Sequence, residues 1–256
     1  MKLKMDVPSS LANYKSRSQM ARVVSETWAS QNLYCVACQA NKLGATLNNN
    51  RGYDFECLEC DAQYQLKSCA REPRNRIVDS AYSAMRAAIE SDRVPNLLVL
   101  HYSNHWAVSN LLLIPSFCFS VTALEKRKPL SPNARRAGWV GCNILLNAIP
   151  LDAKIKVVED SREAKAAEIR NRFDYLRTLT QLTPNVRGWT LDVFRVARSL
   201  KQRRFTLHQM YSFERELSAL HPENQNVRPK IRQQLQVLRD IGILRFVSRG
   251  VYEFAI

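Results

Sequence analysis

The sequence contains no apolar run long enough to span a membrane. Its longest apolar stretches, residues 97–100 and 111–115, are far shorter than the roughly 20 residues that a membrane helix needs. We expect both stretches to form buried strands. Residues 1–13 also lack the continuous apolar core of a secretory signal. These absences predict a cytoplasmic protein that has no membrane partner.

Acidic residues are scarce relative to basic residues. The chain has 23 Asp and Glu residues against 38 Lys and Arg residues, which leaves a net charge of +15. A surface of this charge attracts polyanions, of which nucleic acid is the commonest. Nucleic acid is therefore the expected partner, and a ribosome-associated or simply solubility-biased basic protein is the alternative.

The seven cysteines are an odd number, and a chain without export signals is not expected to use disulfides. Four of them form two CxxC pairs separated by 18 residues, Cys35 with Cys38 and Cys57 with Cys60. This spacing is typical of a structural zinc site, because four thiolates fill the tetrahedral shell of Zn²⁺ and leave no position for water. A redox pair is the alternative. The remaining thiols are expected to be small buried groups: Cys69, Cys118 and Cys142.

The second CxxC pair lies between Asp54 and the triplet Gln65-Leu66-Lys67. Because side chains alternate along a strand, Gln65 and Lys67 would share one face. A carboxylate and a second oxygen ligand can hold Mg²⁺, and a lysine ammonium can orient or help to deprotonate an attacking water. The pattern resembles the signature of metal-dependent nucleases, although taken alone it also occurs in ordinary surface strands.

A basic loop with one aromatic residue occupies residues 124–143. It contains two prolines, two glycines and a cluster of lysines and arginines around a single tryptophan. We predict that this loop contacts DNA and does not join a core. Its candidate contact residues are Arg135, Arg136, Trp139 and Asn143. The polar turn at residues 44–53 adds Asn49, Asn50 and Arg51, for which a filler role in the loop is the alternative.

The first part of the chain alternates between helical and strand-like patterns. The predicted elements are a helix over 11–30, a hairpin over 54–56 and 62–67, a helix over 77–91 with Asp79 as N-cap, and strands over 95–102 and 107–115. Glu26, near the end of the first helix, can complete a nuclease metal site or simply be solvated. The order predicts a mixed α/β (α+β) core with helices around a sheet.

The C-terminal part predicts a winged helix. Residues 183–188 are the best linker candidate, which divides the chain into domains at residues 1–182 and 183–256. Beyond it follow a helix, a second helix capped by Thr206, a third helix over 227–241 and a hairpin. The third helix would enter the major groove, with glutamines on adenine and arginines on guanine or only on phosphates. Its candidate contact residues are Arg228, Lys230, Arg232, Gln233 and Gln234.

Taken together, these stretches resemble the DpnI-like methyl-directed restriction endonucleases over nearly the whole chain. The matching segments are the tyrosine before Cys35, both CxxC pairs, Asp54-Phe55, Leu66-Lys67-Ser68, residues 127–130, 134–139, 141–144, 187–190, 230–236 and 238–240. Segments of this length in this order are far more specific than any single motif.

The resemblance implies a PD-(D/E)xK nuclease domain with an inserted zinc site and a C-terminal winged helix. It implies a type IIM enzyme that cleaves double-stranded DNA at a methylated site, GATC with N6-methyladenine, using Mg²⁺. Both domains of such enzymes read the methylated site, and Trp139 falls where an aromatic ring can sense the adenine methyl group. We expect a monomer in solution.

One departure from the family pattern concerns the candidate catalytic site. The family has glutamate where this chain has Gln65, and a glutamine offers a carbonyl oxygen but no negative charge. Other nucleases of the fold use a QxK version, so the departure is compatible with activity. The main alternative is a non-catalytic zinc and winged-helix protein that reads methylated DNA. An enzyme acting on RNA is disfavoured, because the A-form major groove is too narrow for a helix.

Overall fold

The computed structural model describes residues 1–46 and 52–255. The helices are α1 (Arg17–Asn32), α2 (Tyr82–Glu90), α3 (Ala166–Arg177), α4 (Pro184–Ser199), α5 (Leu207–Tyr211), α6 (Glu214–Leu220) and α7 (Val227–Asp240). The strands are β1 (Gly44–Ala45), β2 (Phe55–Glu56), β3 (Gln63–Cys69), β4 (Arg76–Ala81), β5 (Asn96–Tyr102), β6 (Val108–Ile114), β7 (Leu124–Lys126), β8 (Gly141–Leu145), β9 (Ile155–Glu159), β10 (Arg162–Glu163), β11 (Arg204–Thr206), β12 (Leu244–Ser248) and β13 (Val251–Phe254).

The chain folds into two compact units that interleave along the sequence. The first unit contains Met1–Arg74, Val94–Ser116 and Ala153–Asp174, and the second contains Asn75–Arg93, Phe117–Asp152 and Tyr175–Ile256. The units therefore do not coincide with the two consecutive segments predicted from the sequence, and the domain division at residues 182 and 183 stays a prediction.

The first unit is built on a seven-stranded sheet with the order β1-β2-β3-β5-β6-β9-β10. Its neighbouring strands are antiparallel except β3 and β5, which run parallel. The centre is β5, where residues 97–100 are all buried because the strand is covered on both faces. Burial of each such side chain contributes about 1.5–3 kcal/mol. The strands predicted over 95–102 and 107–115 are confirmed as β5 and β6.

Helix α1 packs on this sheet through its apolar side. Val24, Trp28 and Ala29 are buried, as their helical spacing predicts. The hydroxyl of Ser25 donates to Ser68 Oγ at 3.0 Å, which ties the helix to β3. Strand β3 is therefore held from one face by α1 and along both edges by its neighbours.

The second unit contains a three-stranded sheet with the order β4-β8-β7 and, separately, the winged helix. In the winged helix, α4, α5, α6 and α7 are followed by the hairpin β12–β13, and β11 completes a sheet with the order β11-β13-β12. The predicted winged-helix architecture is confirmed. Thr206 caps α5 as predicted, and its side chain and that of Gln209 form a reciprocal capping box.

Two local predictions are wrong. Residues 184–199 form helix α4, so residues 183–188 are not a linker: Pro184 occupies the first turn, where a proline costs no hydrogen bond. The guanidinium of Arg187 is buried and pairs with Asp92, which fixes this turn. The helix predicted over 77–91 begins only at Tyr82, and Asp79 lies on β4 with its side chain in the interior.

No helix in residues 1–46 and 52–255 combines the length and the apolar character needed to cross a membrane.

Candidate functional site

The four paired cysteines come together in the first unit. Their Sγ atoms all lie within 4.8 Å of one another, with Cys35 and Cys60 at 3.6 Å and Cys38 and Cys57 at 3.6 Å. A tetrahedral Zn²⁺ with Zn–S bonds near 2.3 Å requires sulfur–sulfur separations of about 3.8 Å. The cluster can therefore hold zinc. Within the described parts of the chain, it is the only group of three or more Cys, His, Asp or Glu side chains placed to hold a metal.

A buried tyrosine connects this cluster to β3. The hydroxyl of Tyr64 lies 3.2 Å from Cys35 Sγ, and the amide of Val36 donates to that hydroxyl at 3.2 Å. Burial raises the pKa of Tyr64, so the phenol keeps its proton and can donate a hydrogen bond to a thiolate. Hydrogen bonds of this kind orient metal ligands and tune their basicity. Sequence reasoning missed Tyr64, and the only signal for it was its position on the strand that follows the second CxxC pair.

A distant arginine braces the first CxxC pair. The guanidinium of Arg170, on α3, donates to the carbonyl oxygens of Cys35 at 3.1 Å and Ala40 at 3.2 Å, and to the side-chain oxygen of Gln39 at 3.1 Å. It also lies over the ring of Tyr34, 5.1 Å from the ring centre. Sequence reasoning missed Arg170 because no local pattern links two positions so far apart in the chain.

The carboxylate of Asp54 reaches β3 between the two other candidate catalytic residues. The backbone amide of Asp54 donates to the carbonyl oxygen of Tyr64 at 2.8 Å, and Asp54 Oδ2 accepts the amide hydrogen of Leu66 at 2.7 Å. Leu66 is the residue between Gln65 and Lys67. The structure therefore places the Asp54 carboxylate at the backbone of the residue that separates Gln65 from Lys67.

Gln65 and Lys67 are both half-buried and both lie on β3, where they pair with Leu97 and Val99 of the parallel strand β5. The alternation of side chains places them on one face, as predicted. On α1, the candidate Glu26 accepts a hydrogen bond from Arg22 at 2.6 Å. The hydrogen bond and charge of Glu26, and to a smaller extent the charge of Asp54, raise the pKa of Arg22.

These side chains offer oxygen ligands of the kind that Mg²⁺ prefers. The donors are the carboxylate of Asp54 and the amide oxygen of Gln65, with water free to complete an octahedral shell. This set of ligands carries one negative charge fewer than a pair of carboxylates, because the amide is neutral. The chemistry of the donors fits a weakly held divalent cation.

The basic loop joins β7 to β8 in the second unit. The Arg136 guanidinium lies over the Trp139 ring, 4.9 Å from its centre, and Arg135 and Arg136 are exposed. The ring also approaches Gly141, where an added Cβ would lie 2.7 Å from Cη2 of the indole. The absence of a side chain at Gly141 therefore makes room for the half-buried indole of Trp139.

Asn143 lies within the β4-β8-β7 sheet, where its amide donates to Glu125 at 2.7 Å. Glu125 also accepts two bonds from Arg76, at 2.7 and 2.8 Å. The bonds from Arg76 and then Asn143 lower the pKa of Glu125 to about 2. The Asn143 side chain is thus engaged in a cross-strand network.

Helix α7 presents most of its predicted contact residues to solvent. Arg232 and Gln233 are exposed. Arg228 is exposed and donates to Glu214 at 2.7 Å, and the Lys230 ammonium lies 5.9 Å from the centre of the Trp189 ring.

One predicted contact residue on α7 is misplaced. Gln234 is 1% exposed, and its Oε1 accepts the hydroxyl hydrogen of Thr190 at 2.6 Å. It lies on the same helical side as Ile231 and Leu238, which form the core. A buried amide cannot reach a base edge, so the prediction for Gln234 is corrected to a structural role. The candidates Asn49, Asn50 and Arg51 lie outside the described residues.

Replacement of a cysteine in the cluster should disrupt the hairpin around it. We expect Cys57→Ser to lose bound zinc and to unfold at a lower temperature, because structural zinc supplies about 10–16 kcal/mol of apparent binding energy in comparable peptides. The measurements are zinc content per chain and thermal unfolding. Cys69→Ser, on β3 outside the cluster, is the matched control. A zinc-free Cys57→Ser protein with the stability of the parent would contradict the assignment.

Two adjacent glutamines on α7 should behave differently. Gln234→Ala should lower the free energy of unfolding by about 1–3 kcal/mol, because it removes a buried hydrogen bond and leaves a cavity. Gln233→Ala should leave stability within about 0.5 kcal/mol of the parent, as surface substitutions usually do, and should weaken DNA binding. Denaturant unfolding and fluorescence anisotropy with a labelled duplex measure the two effects. If Gln233→Ala lowered stability and Gln234→Ala weakened only DNA binding, Gln233 and not Gln234 would lie on the buried side of α7.

Comparison with known families covers both parts of the chain. A model of the Dam-replacing family, DpnI, matches residues 1–182, and a model of the Dam-replacing HTH domain matches residues 185–254. Membership of this family implies a restriction endonuclease and methyl-dependent cleavage of DNA. The first match alone spans more than half of the chain, and the chain therefore belongs to the Dam-replacing (DpnI) family.

Proposed function

We propose that the protein is a type IIM restriction endonuclease that hydrolyses double-stranded DNA at GATC sites carrying N6-methyladenine. The observation that supports this proposal most strongly is the contact of the Asp54 carboxylate with the Leu66 amide, at 2.7 Å, between Gln65 and Lys67. A DNA-binding regulator has no use for a carboxylate, an oxygen ligand and a lysine gathered in this way. The net charge of +15 favours the polyanionic substrate.

The proposed catalytic site is of the PD-(D/E)xK type, with Asp54, Gln65 and Lys67 as its residues. Asp54 and Gln65 would hold Mg²⁺, which when bound stabilises the charge that develops on the phosphate. The Lys67 ammonium would orient the attacking water and neutralise part of the charge on the pentavalent phosphorus. The Leu66 amide keeps the Asp54 carboxylate in position before any substrate arrives.

The proposed structural metal is Zn²⁺ on Cys35, Cys38, Cys57 and Cys60. Its role is mechanical, because a four-thiolate site leaves no position for a substrate or a water. Asp54 lies three positions before Cys57, the first cysteine of the second CxxC pair, and Tyr64 links the cluster to the strand that carries Gln65 and Lys67. Zinc would therefore fix the hairpin on which the catalytic residues stand.

Two surfaces of the second unit are the proposed readers of methylated DNA. One is the basic loop with Arg135, Arg136 and Trp139, whose indole offers an apolar surface to a methyl group. Asn143, which bonds Glu125, would act there by holding the sheet beneath the loop. The second is helix α7, with Gln233 for base edges and Arg228, Lys230 and Arg232 for bases or phosphates. We propose that the protein acts as a cytoplasmic monomer.

Digestion of one plasmid prepared with and without adenine methylation tests the proposed reaction. We expect cleavage only of the methylated plasmid and only with Mg²⁺, because the methyl contact selects the site and the cation stabilises the transferred charge. Gel analysis and sequencing of the ends identify the site. Equal cleavage of both preparations would refute methyl direction.

Asp54→Ala in the same assay separates an enzyme from a regulator. The variant should lose cleavage by a factor of 100 or more, roughly the loss seen when a charge-stabilising catalytic group is removed, and should keep its affinity for the methylated duplex. Glu168→Ala, which removes one exposed acid from the same unit, is the control for the change in charge. Wild-type protein that binds but never cleaves would favour the non-catalytic alternative.

Substitution at the Trp139 ring should reduce discrimination between methylated and unmethylated DNA. A buried methyl group contributes about 0.8 kcal/mol, so Trp139→Ala should lower the affinity ratio by about fourfold for each methyl group sensed. Gly141→Ala should have the same effect without removing the ring, because its new Cβ would lie 2.7 Å from the present ring position. Binding titrations with both duplexes measure the ratio, and Leu130→Ala is the control. An unchanged ratio in both variants would exclude Trp139 as the sensor.

A further inference from the structure

Three further side chains extend the face of the sheet that carries Gln65 and Lys67. On β3 this face continues to Cys69, because side chains alternate along a strand. Cys69 pairs in register with His101 of β5, and His101 pairs with Asn110 of β6, so these three side chains share the face. His101 is one strand and two residues away from Lys67, roughly 8 Å between Cα positions at about 4.8 Å between strands and about 3.3 Å per residue.

This face is partly open to solvent where the three residues lie. Cys69, His101 and Asn110 are half-buried, as are Gln65 and Lys67. On the opposite face, the leucines of β5 and β6 are at most 3% exposed: Leu98, Leu100, Leu111 and Leu113. A DNA strand that reaches Lys67 would therefore come to the face on which His101 lies.

The hydrogen bonds of Asn110 determine which nitrogen of His101 carries the proton. The backbone amide of Asp160 donates to Asn110 Oδ1 at 2.9 Å, and because a backbone amide can only donate, the side-chain oxygen must face it. The nitrogen Nδ2 of Asn110 then lies 3.2 Å from His101 Nδ1 and 3.5 Å from Glu72 Oε1. Since Nδ2 can only donate, Nδ1 of the imidazole accepts, and the neutral ring carries its proton on Nε2.

The surroundings of the His101 Nε2–H group suit an anionic oxygen. Within residues 1–46 and 52–255, Nε2 has no hydrogen-bond partner. The neighbouring thiol adds no negative charge, because burial, and then the charge of Glu72, raises the pKa of Cys69 to about 11. In the loop that follows β3, two exposed arginines stand on either side of Glu72, Arg71 and Arg74, so the loop has a net positive charge.

We propose that His101 is a substrate-positioning residue, whose Nε2–H donates a hydrogen bond to a phosphate oxygen of the DNA strand that Lys67 engages. Asn110 holds the imidazole in the tautomer that can donate while the ring is neutral. The contact adds affinity without adding charge, which distinguishes it from the phosphate contacts of lysines and arginines. This inference rests on the proposed function, because it assumes that DNA is cleaved at Lys67.

Binding of the full-length protein to a methylated duplex, measured by fluorescence anisotropy without Mg²⁺, tests the proposal. His101→Ala should weaken binding by about tenfold, the loss expected when a hydrogen bond to a charged group is removed. His101→Gln should retain most of the affinity, because its amide nitrogen can donate from nearly the position of Nε2. The log–log salt slope should stay unchanged in both variants, since a neutral ring releases no counterion. His105→Ala, which removes an exposed histidine from the turn between β5 and β6, is the matched control.

Asn110→Asp tests the tautomer of His101. The new carboxylate would accept Nδ1–H of the ring, so Nε2 of the neutral ring would carry no proton. Only the imidazolium, which is protonated on both nitrogens, could then donate to DNA. The affinity of this variant should therefore fall as the pH rises from about 5 to about 8, the range in which histidine usually titrates, while the affinity of the parent changes less. Asn110→Asp combined with His101→Gln should lose the additional pH dependence.

The outcomes separate this inference from the proposed function. If the parent binds and cleaves the methylated duplex and His101→Ala binds it equally well, His101 makes no phosphate contact and only this inference fails. If His101→Ala and His101→Gln lose affinity equally, the ring acts through packing and not as a donor. If Asn110→Asp shows no more pH dependence than the parent, the proton does not lie where the bonds of Asn110 place it. A parent that neither binds nor cleaves the duplex would refute the proposed function, and this inference with it. Thermal unfolding establishes that each variant is folded.

Discussion

The crowding of four cysteine sulfurs within 4.8 Å is the constraint on which the candidate site depends. Four thiolates at this separation would repel each other, and a cation between them would offset that repulsion, so the arrangement suits a metal ion. The backbone around the sulfurs supports the cluster: Cys35 N donates to Ala40 O at 3.1 Å and Cys57 N to Ala62 O at 2.9 Å. The two short loops are therefore shaped for metal before the rest of the unit is considered.

A chain of contacts leads from the cluster to the candidate catalytic residues. Tyr64 bonds Cys35 at one end of β3, and its carbonyl accepts the amide of Asp54. The Asp54 carboxylate then accepts from Leu66, two residues further along the same strand. A displacement of Cys35 would therefore be transmitted to Asp54 through the side chain of Tyr64 and through the hydrogen bonds that Asp54 makes with the backbone of Tyr64 and Leu66. The cysteine cluster and the candidate active site are thus joined by a continuous series of hydrogen bonds.

The proposed tasks of chemistry and recognition fall to different compact units. The cysteines, Asp54, Gln65 and Lys67 belong to the first unit, whereas the basic loop and the winged helix belong to the second. The units interleave along the chain, and the second unit contains residues 75–93, 117–152 and 175–256. A truncation after residue 182 would therefore leave the first two of these segments without most of the third. The basic loop would then lose the winged helix with which it shares a unit.

Sequence patterns predicted the local features and missed the distant ones. CxxC spacing, the alternation along β3 and the Thr206 cap each depend on a few neighbouring residues. Tyr64 and Arg170 became visible only when the fold brought β3 and α3 to the cysteines. Gln234 is an instructive error, because its spacing of three from Ile231 and four from Leu238 already places it on the buried side of α7.

The segment at residues 183–188 shows a second kind of error. Proline, asparagine and glycine together are typical of a turn. Here Pro184 begins a helix, and the pairing of the buried Arg187 with the exposed Asp92 outweighs the low helix propensity of Gly188. A tertiary ion pair cannot be inferred from the six residues themselves, so this boundary required the structure.

Hydrogen exchange of the Leu66 amide tests most directly whether the thiolate cluster holds the candidate active site in place. The amide should be strongly protected in the metal-loaded protein, because it donates to the Asp54 carboxylate. Removal of zinc with a chelator, in the presence of Mg²⁺, should abolish this protection while the Leu235 amide of α7 stays protected. Unchanged protection at Leu66 after the metal has left would contradict the account.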